Sequence, residues 1–296
     1  MVKPAIGFIG LGKMGLPMSR HLLEGGYRVE GCDPMPSRID ALEALGGHIA
    51  ASPRAAAANN GVVFASIPHD AALRSIVFGA DGLLAGAHPN LTFIETSTVS
   101  PAVSAEVAAA CSGAGIRYLR APVSGNAVIA EAAGLTVMAS GPRTAYDAAL
   151  PLFQRIGKTF FYLGDGEQAR TMKLAINLMI AVSTGMMAEA LALGAKGGLD
   201  WDDMLDVMEA SAVGSPMVKY KAATLRKRDY ASTFSCEQMA KDLHLILQAA
   251  EQTHVPAALA AQSMQSYQAA IAQGEGDLDF SAVVRVVRRL SGLPEQ

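Results

Sequence analysis

Charge is scarce in this chain, and neither sign dominates. Charged residues make up 17% of the 296 positions, the net charge is −3 and the isoelectric point is about 6.1. Nothing in that balance draws the chain to nucleic acid or to an anionic membrane. Cysteine is nearly absent. Cys32, Cys111 and Cys236 are scattered with no CxxC pair, which speaks against a disulfide framework and suits reduced, mostly buried thiols in the cytoplasm. The six histidines stand apart and no HExxH occurs, so no metal is expected. A long hydrophobic run is lacking as well. The most apolar stretch, 174–193, is interrupted by Asn177, Ser183, Thr184 and Glu189. It falls short of the ~18 consecutive apolar residues of a membrane span and reads as a buried helix. The apolar residues after Lys3 are few and broken by glycine, so a first strand explains them better than a targeting segment.

Apolar residues are plentiful, at 51%, and so is glycine, with 29 positions. At this length the chain can bury a large core and is expected to form two domains. Seven of the glycines fall between Gly7 and Gly31. Three of these, Gly10, Gly12 and Gly15, stand at the spacing GxGxxG and enclose Leu11, Lys13 and Met14. An apolar pulse, Ala5 to Ile9, precedes them, and a helix-compatible stretch, Leu16 to Glu24, follows. A second pulse, Tyr27 to Cys32, ends at Asp33. Strand, glycine turn, helix and a second strand ending in an acid form half of a dinucleotide-binding unit. Gly10 suits the sharp turn, Gly12 leaves room for a pyrophosphate, and Gly15 allows close helix packing. The helix start offers N–H groups and a positive dipole end to the phosphates. Asp33 is placed to accept from the adenosine ribose hydroxyls, which favours NAD over NADP; Arg38 keeps NADP open.

From Ala5 to about Gly164, apolar pulses alternate with alanine-rich helical stretches. The pulses include 62–67, 91–94, 117–119 and 135–139; the helices include 38–45, 71–78, 101–112 and 144–156. Such alternation predicts an α/β domain with a mainly parallel, doubly wound sheet, over 1–164. No strand pattern follows. One long helix, 167–195, closed by Gly197-Gly198, leads into helices near 202–211, 216–227, 238–253, 256–273 and 282–290. The second domain, 165–296, is expected to be all-α and joined directly through the long helix.

Five segments beyond the glycine turn carry candidate chemistry. Pro68 lies past one strand and Thr98 past the next, where a doubly wound sheet places its ligands. Each alone is equally a turn or a helix cap. In Ala121-Pro122-Val123-Ser124-Gly125-Asn126, a hydroxyl and an exposed backbone N–H stand ready for a substrate carboxylate, though an ordinary connection has the same composition. Lys173 and Asn177, at i and i+4, share one face of the long helix. A lysine at a helix end often snorkels; in a low-dielectric cleft its pKa falls below ~10.4 and suits proton transfer. Lys241 could reach substrate or cofactor, with Asp242 as its helix-side partner. A solvated charge pair is the plainer account of those two.

Together these residues resemble the β-hydroxyacid dehydrogenase family, whose members include 3-hydroxyisobutyrate dehydrogenase and tartronate semialdehyde reductase. IGFIGLGKMGLPMSRHLL resembles the cofactor signature and APVSGNAVIAEAAGLTVMASG the substrate-binding segment. MKLAINLMI resembles the catalytic segment and MAKDLHLIL the second cofactor segment. The resemblance implies hydride transfer between NAD(P), with NAD preferred, and C3 of a small 3-hydroxy acid, or semialdehyde reduction in reverse. It implies Lys173 as the proton donor and acceptor, Asn177 as the residue orienting the substrate, and Ser124 with Gly125, beside Asn126, on the carboxylate. Lys241 is expected over the active site, Thr98 near the nicotinamide ribose, and the whole as a homodimer or homotetramer. Two departures stand out. Arg120 replaces the acid that many members carry before the turn, and Asn126 replaces a glycine. Both point to altered substrate specificity. The alternatives are a related NADP-dependent imine or aldehyde reductase and a non-catalytic dinucleotide-binding module, branches in which the lysine is usually lost.

Overall fold

The computed structural model describes residues 3–294. Two compact units make up the chain, Met1–Lys173 and Leu174–Gln296; they divide within the long helix, whereas the boundary read from the sequence precedes it.

The first unit is built on the short apolar pulses. Ile6-Gly7-Phe8-Ile9 has no polar side chain and is buried throughout, so it needs cover on both faces. It forms strand β1 (Ile6–Ile9) inside a six-stranded parallel sheet. Strands β2 (Val29–Cys32) and β4 (Val62–Ala65) flank it, with Ile6 level with both Val29 and Val62. Adding β3 (His48–Ile49), β5 (Thr92–Glu95) and β6 (Arg117–Arg120) gives the order β3-β2-β1-β4-β5-β6. The chain reverses its direction across the sheet between β1 and β4, and ligands of such sheets bind beyond the strand ends at that point. Helices cover both faces. One core layer includes Phe8, Met18, Leu22, Phe64 and Phe153, and the other Val63, Leu73, Phe93 and Val103. Phe8 and Phe64 stack across neighbouring strands with ring centroids 5.6 Å apart.

The pulse Leu135–Ala139 does not join that sheet. Strands β7 (Val123–Ser124), β8 (Leu135–Ala139) and β9 (Gly157–Tyr162) form a second sheet, β7 antiparallel to β8 and β8 parallel to β9. The single sheet expected over this region is therefore two. Ala121 and Pro122 alone separate β6 from β7, far too few residues for the crossover that a parallel neighbour requires. Paired backbone bonds between Arg120 and Ser140, each 2.9 Å, hold the two sheets together.

The long helix runs Gln168–Lys196. Gly198, at φ +84°, ends it as expected, and Leu199 N closes the turn on Gly194 O at 3.0 Å. In the second unit all the regular elements among the described residues are helical: Trp201–Ala210, Pro216–Arg226, Cys236–Thr253, Ala258–Ala272 and Val283–Leu290, with a 3-10 turn at Phe280–Ala282. Asp200, Ser215 and Ser235 cap three of these helices, and Ser235 with Gln238 makes a capping box. Leu191, Met204, Leu205, Leu225, Leu243 and Tyr267 sit in the shared core. Lys221 is buried there too, donating to Asp279 Oδ1 at 2.6 Å.

Candidate active site

At the carboxyl ends of β1, β2, β4 and β5 the cofactor residues predicted for the first unit form one row; Lys241, the remaining one, lies on the helix Cys236–Thr253 of the second unit. The glycine turn follows β1. Gly10 has φ +89°, and a Cβ there would lie 2.2 Å from Ser66 O; at Gly15 it would lie 1.9 Å from Gly10 O. Both positions therefore demand glycine. Gly12 differs. A Cβ there would meet only the Arg38 guanidinium, 3.7 Å away, so this glycine leaves the turn open on its outer side. The next helix, Gly15–Glu24, starts at Met14 without a side-chain cap, which leaves backbone N–H groups for a ligand. Leu11 is buried behind the turn and Lys13 is exposed on it. Clearance at Gly12 and an uncapped helix start fit a dinucleotide pyrophosphate.

Asp33 is placed where the sequence put it, but its carboxylate is engaged. Oδ2 accepts from Leu11 N at 2.8 Å and Oδ1 from Met35 N at 2.9 Å, while Arg38 Nη1 lies 3.2 Å from Oδ2. The acid holds the glycine turn against β2. Beyond β4, Pro68 is exposed in the loop before His69, which caps the helix Asp70–Phe78. Beyond β5, Ser97 Oγ accepts from Ile67 N at 2.7 Å and Ser100 N donates to Asp70 at 2.9 Å. These bonds tie the loop bearing Pro68 to the loop bearing Thr98.

In the turn expected to bind a carboxylate, the three residues separate in role. Gly125 has φ +135°. Ser124 ends β7 half-exposed, and its hydroxyl has no hydrogen-bond partner among the described residues. Asn126 instead caps the helix Ala127–Glu131, its side-chain oxygen accepting from Ile129 N at 3.0 Å. Arg120, the departure from the family pattern, is buried and donates from Nε to Glu167 Oε1 at 2.7 Å, with its guanidinium 4.8 Å from the Tyr118 ring centroid. It ties β6 to the residue before the long helix.

That helix is fixed at its start by a residue the sequence reading missed. Arg170, 1% exposed, is held in a buried network. It pairs with Glu95 and donates to Ser97 O at 2.7 Å, Tyr118 OH at 3.0 Å and Ser104 Oγ at 3.3 Å. Burial pulls the guanidinium pKa down, but Glu95 and Tyr118 outweigh it and the net shift is upward. Burial also pushes the Tyr118 phenol up to about 12. The signal was present in the sequence as a lone arginine opening an apolar helix and an acid closing an apolar strand.

Lys173 follows one turn after Arg170 and is half-buried. In the second unit Asn177 is 4% exposed and donates to Asp242 Oδ2. Asp242 is fully buried, and Lys241 Nζ pairs with its other oxygen at 2.7 Å. One carboxylate thus positions both Asn177 and Lys241, a larger part than the sequence had given Asp242. No group of three or more His, Cys, Asp or Glu is arranged to hold a metal among the described residues.

Residues 5–164, more than half of the chain, match the model of the NAD binding domain of 6-phosphogluconate dehydrogenase, and residues 167–287 match the NAD-binding model of NADP-dependent 3-hydroxyisobutyrate dehydrogenase. The chain belongs to the β-hydroxyacid dehydrogenase family. Within this family it is 32% identical to glyoxylate/succinic semialdehyde reductase 1 of Arabidopsis thaliana over 96% of the chain and 98% of that relative. The structure of Mycobacterium tuberculosis 3-hydroxyisobutyrate dehydrogenase with L-serine matches at a TM-score of 0.87 and 31% identity, over 97% of this chain and all of that one. An imine reductase from Pseudomonas sp. covers 96% of this chain and 99% of its own, but at a TM-score of 0.64 and 20% identity it shares the fold alone.

Proposed function

We propose that this β-hydroxyacid dehydrogenase oxidises a small 3-hydroxy acid with NAD or NADP, or reduces the corresponding semialdehyde. When bound, the nicotinamide accepts or returns the hydride. Gly10 to Gly15 would hold its pyrophosphate, Asp33 and Arg38 would face the adenosine ribose, and Pro68 and Thr98 would border the remainder. The chain's own residues do the rest. Ser124 Oγ and the Gly125 N–H bind the substrate carboxylate and fix which carbon faces the cofactor. Lys173 takes the hydroxyl proton in oxidation and returns it to the carbonyl oxygen in reduction. Asn177 and Lys241, both held by Asp242, are assigned to orienting the substrate and drawing its negative charge.

The observation that carries this reading is the retention of Lys173, one turn past a rigidly anchored arginine, in a chain whose glycine turn is cleared for a pyrophosphate. A non-catalytic module would need no such amine, and the imine reductases are matched in fold alone. A panel of 3-hydroxy acids and their semialdehydes, followed at the nicotinamide absorbance with each cofactor, tests it. Turnover of at least one hydroxy acid is expected, and inactivity across the panel would contradict the reading.

A homo-oligomer of two or four copies belongs to the same proposal. By length and composition, Gln168–Lys196 is apolar enough to cross a membrane, with a mean hydropathy of 1.6, and 33% of its most apolar window is buried. Met172, Met179, Met186 and Leu193 recur on it every seven residues and are all exposed. A second copy of the chain covers that stripe. Three unpaired, buried cysteines support a reducing, cytoplasmic setting.

A further inference from the structure

Four charges meet where two strand ends of the first unit receive the start of the long helix. Glu95 and Arg120 close the neighbouring parallel strands β5 and β6 and stand level with each other, so their side chains leave the same face of the sheet. Glu167, just before the long helix, and Arg170, in its first turn, are three residues apart and share one side of it. Arg170 pairs with Glu95, and Arg120 with Glu167. Glu167 acts on Arg170 as well, and the signs alternate round the four. Sliding the helix by one turn would set Glu167 against Glu95, acid against acid. The alternation therefore admits one register.

For stability alone, the Arg120–Glu167 half is a poor choice. Arg120 is 6% exposed and donates from Nε to Glu167 Oε1 at 2.7 Å. The other oxygen, Oε2, is buried with no hydrogen-bond partner among the described residues. A buried acceptor left unmet is costly, and apolar side chains of similar size commonly do as well as a buried ion pair or better. What such a pair does supply is a fixed register.

Both ends of the pair lead to the candidate site. Arg120 is four residues before Ser124, along a segment with little slack. Arg120 exchanges both backbone bonds with Ser140 at 2.9 Å, Ala121 N donates to Glu95 O at 2.7 Å, and Met138 N to Pro122 O at 3.1 Å. Glu167 is six residues before Lys173, about 9 Å along the helix axis. Ser140, fully buried, joins the two sides: its Oγ donates to Gly166 O at 2.7 Å and accepts from Ala169 N at 3.2 Å.

We propose that Arg120 and Glu167 are positioning residues that set the span between the Ser124–Gly125 turn and Lys173. This rests on the carboxylate and proton-transfer roles given above to those residues. A reacting group displaced by ~1 Å can cost about a hundredfold in rate, so the pair acts on the chemical step rather than on cofactor binding.

The full-length protein, saturated with cofactor, is followed in single turnover with a 3-hydroxy acid that the wild type oxidises; NAD affinity and denaturant midpoint are measured alongside. Glu167→Gln keeps the shape and removes the charge. Its rate is expected to fall about tenfold or more, with KM for the acid and NAD affinity nearly unchanged. Arg120→Leu, Glu167→Leu removes both charges, so it should match the wild type in denaturant midpoint and still be slow by a similar factor. Arg120→Lys, which keeps the charge without the fork, should retain part of the rate. Wild-type rate in Glu167→Gln or in the double variant would overturn the proposal and leave the proton-transfer reading intact. A wild type that oxidises no 3-hydroxy acid would overturn that reading and the proposal with it.

Discussion

At the end of β2, Asp33 commits both carboxylate oxygens to its own chain, to Leu11 N, Met35 N and Arg38. From residue type alone, Asp33→Ala should admit NADP by removing a charge that repels the 2′-phosphate. The structure adds a second effect. Without the acceptor, Leu11 N loses its partner and the glycine turn its tether, a loss typically of ~1.5–3 kcal/mol for a charged acceptor. Asp33→Ala is therefore expected to raise KM for both cofactors about tenfold while narrowing the gap between them. Arg38→Ala should lower kcat/KM for NADP about tenfold and leave NAD nearly unchanged, because the exposed guanidinium beside Gly12 is the cation a 2′-phosphate would meet. Steady-state kinetics with both cofactors checks the pair. An Asp33→Ala enzyme with an unaltered KM for NAD would mean that the turn does not depend on this acid. The same distinction separates Ser124 from Asn126: both are small, polar and adjacent to Gly125, yet one hydroxyl has no partner among the described residues and one amide caps a helix.

Among the elements, the long helix was the most legible, since an apolar run with a double-glycine stop needs only local rules to be seen. The parallel strands were legible for the same reason. β3 was not, because two exposed residues, His48 and Ile49, make no apolar pulse. Neither was β9, a mostly unburied strand at the edge of the second sheet. Least visible was what anchors the helix, because the Arg170–Glu95 pair joins residues 75 apart in sequence and only the folded sheet brings them together. Leaving Glu95 buried without its cation should be severe. Arg170→Leu is expected to destabilise the protein by ~3–5 kcal/mol, read as a lower denaturant midpoint. The Arg170→Leu, Glu95→Leu double change should recover part of that loss. A single variant as stable as wild type would contradict the role given to this pair.

Over the whole molecule, burial of ionisable side chains sets an alkaline limit. The thiols of Cys32, Cys111 and Cys236 are each pushed up, chiefly by burial, from 9.0 to about 12. The unfolded chain ionises them near pH 9 and the folded chain does not. Their contribution to stability is therefore complete below pH 9 and is lost as pH rises from about 9 to about 12. Denaturant midpoints should fall across that window, and native protein at pH 9 should resist a thiol reagent that labels the denatured chain at three sites. Rapid labelling of the native protein would contradict it. Assembly is the other property at this scale. Met179 and Met186 are 68% and 48% exposed, and covering such a stripe removes apolar surface from water. Light scattering should give a dimer or tetramer for the wild type and a smaller species for Met179→Lys, Met186→Lys. A wild-type monomer would remove the oligomer from the account.

The central claim, that Lys173 moves the substrate proton, is tested most directly by single-turnover kinetics of Lys173→Ala with saturating cofactor and an active hydroxy acid. General acid–base catalysis is worth ~10²–10⁴-fold, or roughly 3–5 kcal/mol of barrier. The rate should therefore fall at least about a hundredfold, with NAD affinity and fold intact, and Lys173→Arg should do little better because a guanidinium stays protonated. A Lys173→Ala enzyme within about tenfold of the wild-type chemical step would contradict the account.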